Sequence, residues 1–187
     1  MDATDNSLNK ALVRTILEHA EDYGWVMQEI GLLGLRLDDT REFRLHVWDP
    51  SSTVGEPPIH DHPFDFTSTV VVGEMTNTRY EEDRDGVEYC RMRYTPPSED
   101  ERTRDTVRLS GAATTVAAGG RYHQLAHELH DSRQLPGTLT IIRRSFTSAA
   151  AELTVCYRNE ADWISGRSRP ATVAEVKRIT TTALELF

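Results

Sequence analysis

The sequence predicts a mainly β fold, a barrel or sandwich of short strands with a helical N-terminal segment and a C-terminal helix. Three observations carry this reading. Strand-like alternation recurs from Phe43 to Tyr157, helical spacing is confined to the two ends, and no internal repeat or low-complexity tract interrupts the 187 residues. A chain of this length fits one domain. Residues 1–38 read as the helical segment, 40–160 as the barrel and 170–187 as the terminal helix.

Taken in order, Leu8, Leu12, Ile16 and Ala20 recur near helical spacing, with Ser7 available as the N-cap. A short helical or irregular piece follows from Trp25 to Leu35, interrupted by Gly31 and Gly34. The period then changes to two. Phe43, Leu45 and Val47 alternate with Arg44, His46 and Trp48, and Asp49-Pro50-Ser51-Ser52 closes the strand. Phe66 to Val72 is rich in β-branched residues, Gly73 marks a turn, and Met75 to Tyr80 alternates again. Further strands are expected at Val87–Tyr94, Thr106–Leu109, Ala113–Ala117, Thr138–Ser145 and Leu153–Tyr157. The charged stretches Glu81–Asp85 and Ser98–Asp105, on either side of Pro96 and Pro97, read as solvated loop. Thr172, with Glu175 three residues later, caps a helix whose apolar face carries Val173, Val176, Ile179, Ala183 and Leu186.

Composition excludes several function classes. With 21 basic against 30 acidic residues the formal charge is -9, which repels a phosphate backbone, so nucleic acid is not an expected partner. No apolar run reaches the ~18 residues of a membrane span, and MDATDNSLNK lacks the basic start and apolar stretch of a secretory signal, so a cytoplasmic location is expected. Cys90 and Cys156 have no CxxC partner and are expected to be reduced and structural.

The chemistry-bearing pattern is His60-Asp61-His62. In a strand, residues i and i+2 share a face, so these two imidazoles would project to one side and could ligate one metal. Gly55-x4-His60-x-His62-x10-Gly73 resembles the first cupin motif. There a glycine precedes HxH, an acidic ligand often follows, and a second glycine ends the strand pair. Gly119-Gly120-Arg121-Tyr122-His123 resembles the second motif, a glycine turn followed three residues later by the last histidine ligand. The resemblance covers more than half of the chain. It implies a cupin-type jelly-roll β-barrel with a divalent metal on His60, His62 and His123. Iron(II) is the first expectation, with nickel, zinc, manganese or copper as alternatives. Where many cupins place a glutamate ligand this sequence has Phe66 and Thr67, with Asp65 one step early. Asp65 would reach inward only if the strand began with a bulge.

Three histidines leave coordination positions open for substrate and dioxygen. Among cupins this pattern is similar to the thiol dioxygenases. The run FRLHVWDPSSTVGEPPIHDH, Phe43 to His62, is similar to the strand and loop that enter the metal site of cysteine dioxygenase. That resemblance implies an iron-dependent oxygenase of cysteine or a related aminothiol. Arg41 or Arg44 would hold the substrate carboxylate, and Phe64 and Phe66, with Val70 and Val72, would dry the pocket. Alternation on the late strand turns one of Arg143 and Arg144 inward as a rival clamp, Arg144 being the candidate. The serine-histidine-tyrosine series of the family's late strand is replaced here by Thr138 to Arg144, which leaves Tyr122 or Tyr157 as the assisting tyrosine.

His127 and His130 read either as polar loop residues or as a relay orienting the ligand histidine, with His127 the candidate for a catalytic role. His46 could face inward or outward, and His19 belongs to the opening helix. Two other function classes remain open on the sequence. One is a non-redox metal cupin, an isomerase, lyase or hydrolase with Glu74, Glu128 or His127 as base. The other is a non-catalytic ligand-binding barrel. By analogy with cupins, a homodimer paired through barrel edges is the expected assembly.

Overall fold

The computed structural model describes residues 3–40, 42–52, 58–95, 98–147, 152–158 and 168–187. The elements in chain order are α1 (Ala3–Glu18), β1 (Val26–Gln28), β2 (Leu32–Arg36), β3 (Phe43–Trp48), β4 (Ile59–His60), β5 (Phe64–Val72), β6 (Glu74–Thr95), β7 (Ser98–Ala117), β8 (Arg121–Gln124), β9 (Leu129–Gln134), β10 (Leu139–Thr147), β11 (Leu153–Tyr157), β12 (Ser168–Pro170) and α2 (Val173–Leu184). Strands β3 to β10 form the barrel. One sheet runs β3-β10-β5-β8 and the other β4-β9-β6-β7, with every neighbouring pair antiparallel. First, eighth, third and sixth strands thus share one sheet, and second, seventh, fourth and fifth share the other. This is the double Greek-key order of a jelly roll.

Further strands widen both sheets. β12, β1 and β2 continue the first sheet beyond β3, and β11 flanks β4 while also pairing with β6 over Cys90–Tyr94. The segment Trp25–Leu35, expected to be helical or irregular, is therefore the β1–β2 hairpin. Gly31 turns it at φ +77°, and only the first half of residues 1–38 is helical.

The largest apolar core lies outside the barrel, between the first sheet and the two helices. Alternation sends Leu33, Leu35, Leu45, Val47, Val71 and Leu139 to that face, where Val13, Ile16, Leu17 and Ala20 of the N-terminal region and Val176, Ile179 and Ala183 of α2 cover them. A fully buried aliphatic side chain such as Ile179 contributes roughly 1.5–3 kcal/mol. On α1 the buried stripe starts later than expected. Leu8 and Leu12 are 71% and 49% exposed, and Ser7 lies inside the helix rather than at its cap.

At α2 the Thr172 hydroxyl accepts the Glu175 N–H at 3.3 Å while the Glu175 carboxylate accepts the Thr172 N–H at 2.9 Å, a complete capping box. Val173 and Leu186, expected on the apolar face, are exposed. Arg178 of α2 donates to both Asp49 carboxylate oxygens at 2.8 and 2.6 Å, which ties the helix to the end of β3.

The charged stretches expected as loop belong to one long β6–β7 hairpin. Asp83–Gly86 form a bulge opposite Leu109, and the charges pair across the ladder. Arg91 lies directly opposite Asp105 and contacts it at 2.8 and 2.6 Å.

Candidate metal centre

The barrel interior holds a smaller apolar cluster, Leu32, Trp48, Val70, Met75 and Val116. Its first-sheet face carries the inward residues of each strand, and the register fixes which they are. Arg44, Ile142, Ser68 and Tyr122 form one cross-strand row, and Arg144, Phe66 and Gln124 form another. The residues between them, Phe43, Arg143, Thr67 and His123, form a row on the opposite face. A shift of one residue reverses the face. The interior holds a cavity of about 130 Å³ lined among others by Arg44, His46, Phe64, Phe66, Tyr122 and Arg144.

Three imidazoles converge on this cavity. β4 places His60 directly opposite His130 of β9, and His62 follows two residues on. The candidate ligand atoms of His60, His62 and His130 all lie within 4.8 Å of one another. Ring centroids are 4.8 Å apart for His60–His62, 4.7 Å for His60–His130 and 5.3 Å for His62–His130. Phe64 stacks on His62 at 5.0 Å, and Phe66 meets it edge-on at 5.4 Å.

The expected third ligand, His123, is not in this group. It lies on the outer row of β8, exposed, with Nδ1 3.2 Å from the Thr67 hydroxyl. The glycine turn at Gly119, φ +87°, starts β8 in a parity that turns Tyr122 and Gln124 inward and His123 outward. His130, which the sequence left between loop and relay, takes the inward place. β9 carried little signal because Leu129–Gln134 contains one apolar residue, and its inward residues His130, Ser132 and Gln134 are polar.

Other site candidates sort by the same parity. Arg44 and Arg144 line the cavity, whereas Arg143 is exposed and pairs with Glu42 at 2.8 Å. The Arg144 guanidinium lies 3.7 Å from the Phe64 ring centroid. His46 faces inward, and burial, with the nearby Arg44 charge, pushes its pKa down to about 3. Tyr122 also faces inward, its hydroxyl 3.3 Å from Met75 Sδ and 3.4 Å from Ser132 Oγ, and burial raises its pKa.

His127 is not a cavity residue. It sits at φ +61° in the β8–β9 turn, with Nδ1 3.3 Å from Asp61 Oδ2 and its N–H donating to the His62 carbonyl at 2.8 Å. Asp65 is likewise turned away, accepting the Ala126 N–H at 2.7 Å. Arg41 and Gly55 lie outside the described residues.

The histidine cluster fits a divalent cation. His60 Nδ1 lies 3.0 Å from the Pro58 carbonyl and His130 Nδ1 lies 2.9 Å from Asn77 Oδ1, so both rings use Nδ1 as donor and keep Nε2 as a lone pair. His130 Nε2 is buried with no hydrogen-bond partner. Burial lowers the pKa of all three rings, and for His62 and His130 the charges of neighbouring histidines add to it, so the imidazoles are neutral ligands rather than cations. Two nitrogens each ~2.1 Å from one ion stand about 3.0 to 3.4 Å apart in an octahedral or tetrahedral set, so the widest pair would close by roughly 1.4 to 1.8 Å on binding. No carboxylate lines the cavity among the described residues.

Fold and site together define a jelly-roll β-barrel with a three-histidine candidate metal centre. No protein-family model and no curated protein matches the chain. Among solved structures it is similar to a chain from the Drosophila melanogaster CENP-C complex with CAL1, at 10% identity and a TM-score of 0.31, over 84% of this chain and 100% of that one. It is also similar to a cupin-like protein from Thermotoga maritima, at 11% identity and a TM-score of 0.27, over 83% of each chain. The jelly-roll assignment rests on strand order and register. Among the described residues no helix is long and apolar enough to cross a membrane.

Proposed function

We propose that this protein is a metal-dependent cupin oxygenase acting on a small amino acid or thiol, with cysteine or a related aminothiol as the leading substrate. The observation that carries the reading is the meeting of three neutral imidazoles with two arginines in one cavity. A divalent ion such as iron(II), held by His60, His62 and His130, would supply open positions for the substrate's thiol or amine and for dioxygen.

The remaining roles belong to the chain. Arg44 and Arg144 come from adjacent strands on the inward face, and their guanidinium groups suit a carboxylate. Trp48 Nε1 and Thr140 Oγ1, both buried and without a hydrogen-bond partner, line the same cavity and can serve a polar ligand. Phe64, Phe66 and Ile142 exclude water. The Tyr122 hydroxyl, kept protonated by burial, is a hydrogen-bond donor facing the reacting space. A cavity of about 130 Å³ suits a small molecule.

The test is oxygen consumption by iron(II)-loaded protein prepared anaerobically, against cysteine, small aminothiols and common amino acids, with His130→Ala as control. Uptake with one substrate that disappears in the control supports the proposal. Silence across the panel with metal firmly bound, or turnover that continues under nitrogen with zinc or nickel, replaces it with the non-redox reading.

A further inference from the structure

His60 and His130 reach the same state by different means. The Nδ1 of His60 faces a backbone carbonyl, an acceptor that any sequence offers. That of His130 faces a side-chain amide, and an amide can be turned either way. What turns it is a chain of polar groups, buried except at its outer end, that crosses between the two sheets.

The chain starts at Glu128, whose Oε2 accepts the Leu125 N–H at 3.0 Å and Gln124 Nε2–H at 3.0 Å; the Glu128 carbonyl accepts from the same amide at 3.3 Å. A carboxylate accepts and does not donate, so Gln124 must present its nitrogen to Glu128 and its oxygen inward. Gln124 Oε1 then accepts Asn77 Nδ2–H at 3.2 Å, which leaves Asn77 Oδ1 facing the site. That oxygen receives the Ser132 hydroxyl at 3.2 Å and His130 Nδ1–H at 2.9 Å. Gln124 and Asn77 are 1% and 3% exposed, so water does not compete for these groups. Reversing either amide would set donor against donor and acceptor against acceptor.

Resting on the metal-centre reading above, the geometry points to Glu128, Gln124 and Asn77 as positioning residues: a directional relay that fixes His130 in the Nδ1–H tautomer and aims its Nε2 lone pair into the cluster. The relay begins next to Arg79, whose Nε is 4.0 Å from the Glu128 carboxylate and whose Nη2 donates to the His123 carbonyl. Arg79 thus holds the β8–β9 turn that carries both ends of the Gln124–Glu128 pair.

The experiment reads the tautomer directly, by imidazole nitrogen chemical shifts in metal-free, 15N-labelled full-length protein. His60 and His130 are both expected as Nδ1–H in the wild type. In Asn77→Leu, His130 is expected to become a mixture or to switch to Nε2–H while His60 is unchanged, and cobalt(II) affinity to fall about 10- to 100-fold. Asn77→Asp, which restores an acceptor, is expected to recover the tautomer.

If the buried leucine prevents folding, Glu128→Ala at the outer end carries the test, with the same change in His130 alone. A folded variant of either kind whose His130 remains Nδ1–H overturns the relay. Absence of cobalt binding by the wild type would overturn the metal reading instead, leaving the tautomer result to stand on its own.

Discussion

Replacing His130 with alanine should weaken metal binding sharply, whereas replacing His123 should leave it intact, although the spacing after the glycine turn favours His123. The magnitude follows from ligand count. Zinc sites with four protein ligands bind with about 10–16 kcal/mol, or about 3 kcal/mol per ligand, so losing one imidazole should weaken affinity on the order of 100-fold. His123 is exposed and its ring meets the Thr67 hydroxyl on the outer face of the sheet, so its removal should change affinity by less than about threefold and stability by less than about 0.5 kcal/mol. Cobalt(II) titration of the three proteins, followed by the visible absorption of the bound ion and by calorimetry, measures both numbers. Loss of binding in His123→Ala with retention in His130→Ala would refute the parity argument that places β8 and β9.

Three further outcomes follow from local geometry. The Arg178 hydrogen bonds hold the Asp49 carboxyl at about 2, below its ordinary 3.8. That displacement is worth at most about 2.4 kcal/mol, and solvent around the half-exposed Arg178 reduces it to about 1 kcal/mol. Because the folded value is the lower one, this stability is present above the unfolded pKa of ~3.9 and lost as pH falls through about 2. Asp49→Asn should therefore be less stable than wild type in urea at pH 7 and indistinguishable from it near pH 2. Burial pushes the Cys156 thiol up to about 12 while Cys90 is exposed, so iodoacetamide should label one cysteine in the native protein and two in urea. Two rapid native labels would contradict the placement of β11. Gly73 sits at φ +83°, and a Cβ added there would lie 2.5 Å from Thr138 Oγ1, so Gly73→Ala should destabilise by roughly 1–3 kcal/mol, read as a lowered Tm; an unchanged Tm would mean the turn is not as described.

The sequence made the barrel visible wherever a strand buried apolar residues. β3, β5 and β10 alternate because their outward residues pack beneath the helices, and their inward residues, Arg44, Phe66 and Arg144, could be named in advance as cavity candidates. β4, β8 and β9 did not declare themselves. β4 has two residues, and β9 presents His130, Ser132 and Gln134 to the interior, so the period of two carries no apolar signal there. The third histidine was missed because the strand that holds it is polar for the sake of the site. The charged hairpin misled in the opposite way. Its opposite charges read as solvated loop, but they face each other across the ladder, as Arg91 does Asp105.

Stability and chemistry occupy different layers of this barrel. The helices and the outward face of the first sheet hold the large apolar core, while the interior sets histidines, arginines and a relay of amides beside a smaller apolar cluster. Burying such groups is unfavourable unless each is hydrogen-bonded, and the relay satisfies Asn77, Gln124 and the Nδ1 of His130 together. His130 Nε2 is left over, buried and without a partner, and it points among two more imidazoles that burial keeps neutral. A fold seeking only stability would fill that space with leucine and valine, as it does behind the first sheet. A buried, unpartnered His130 Nε2 among two more neutral imidazoles is a disposition that a divalent cation satisfies and that apolar packing does not explain.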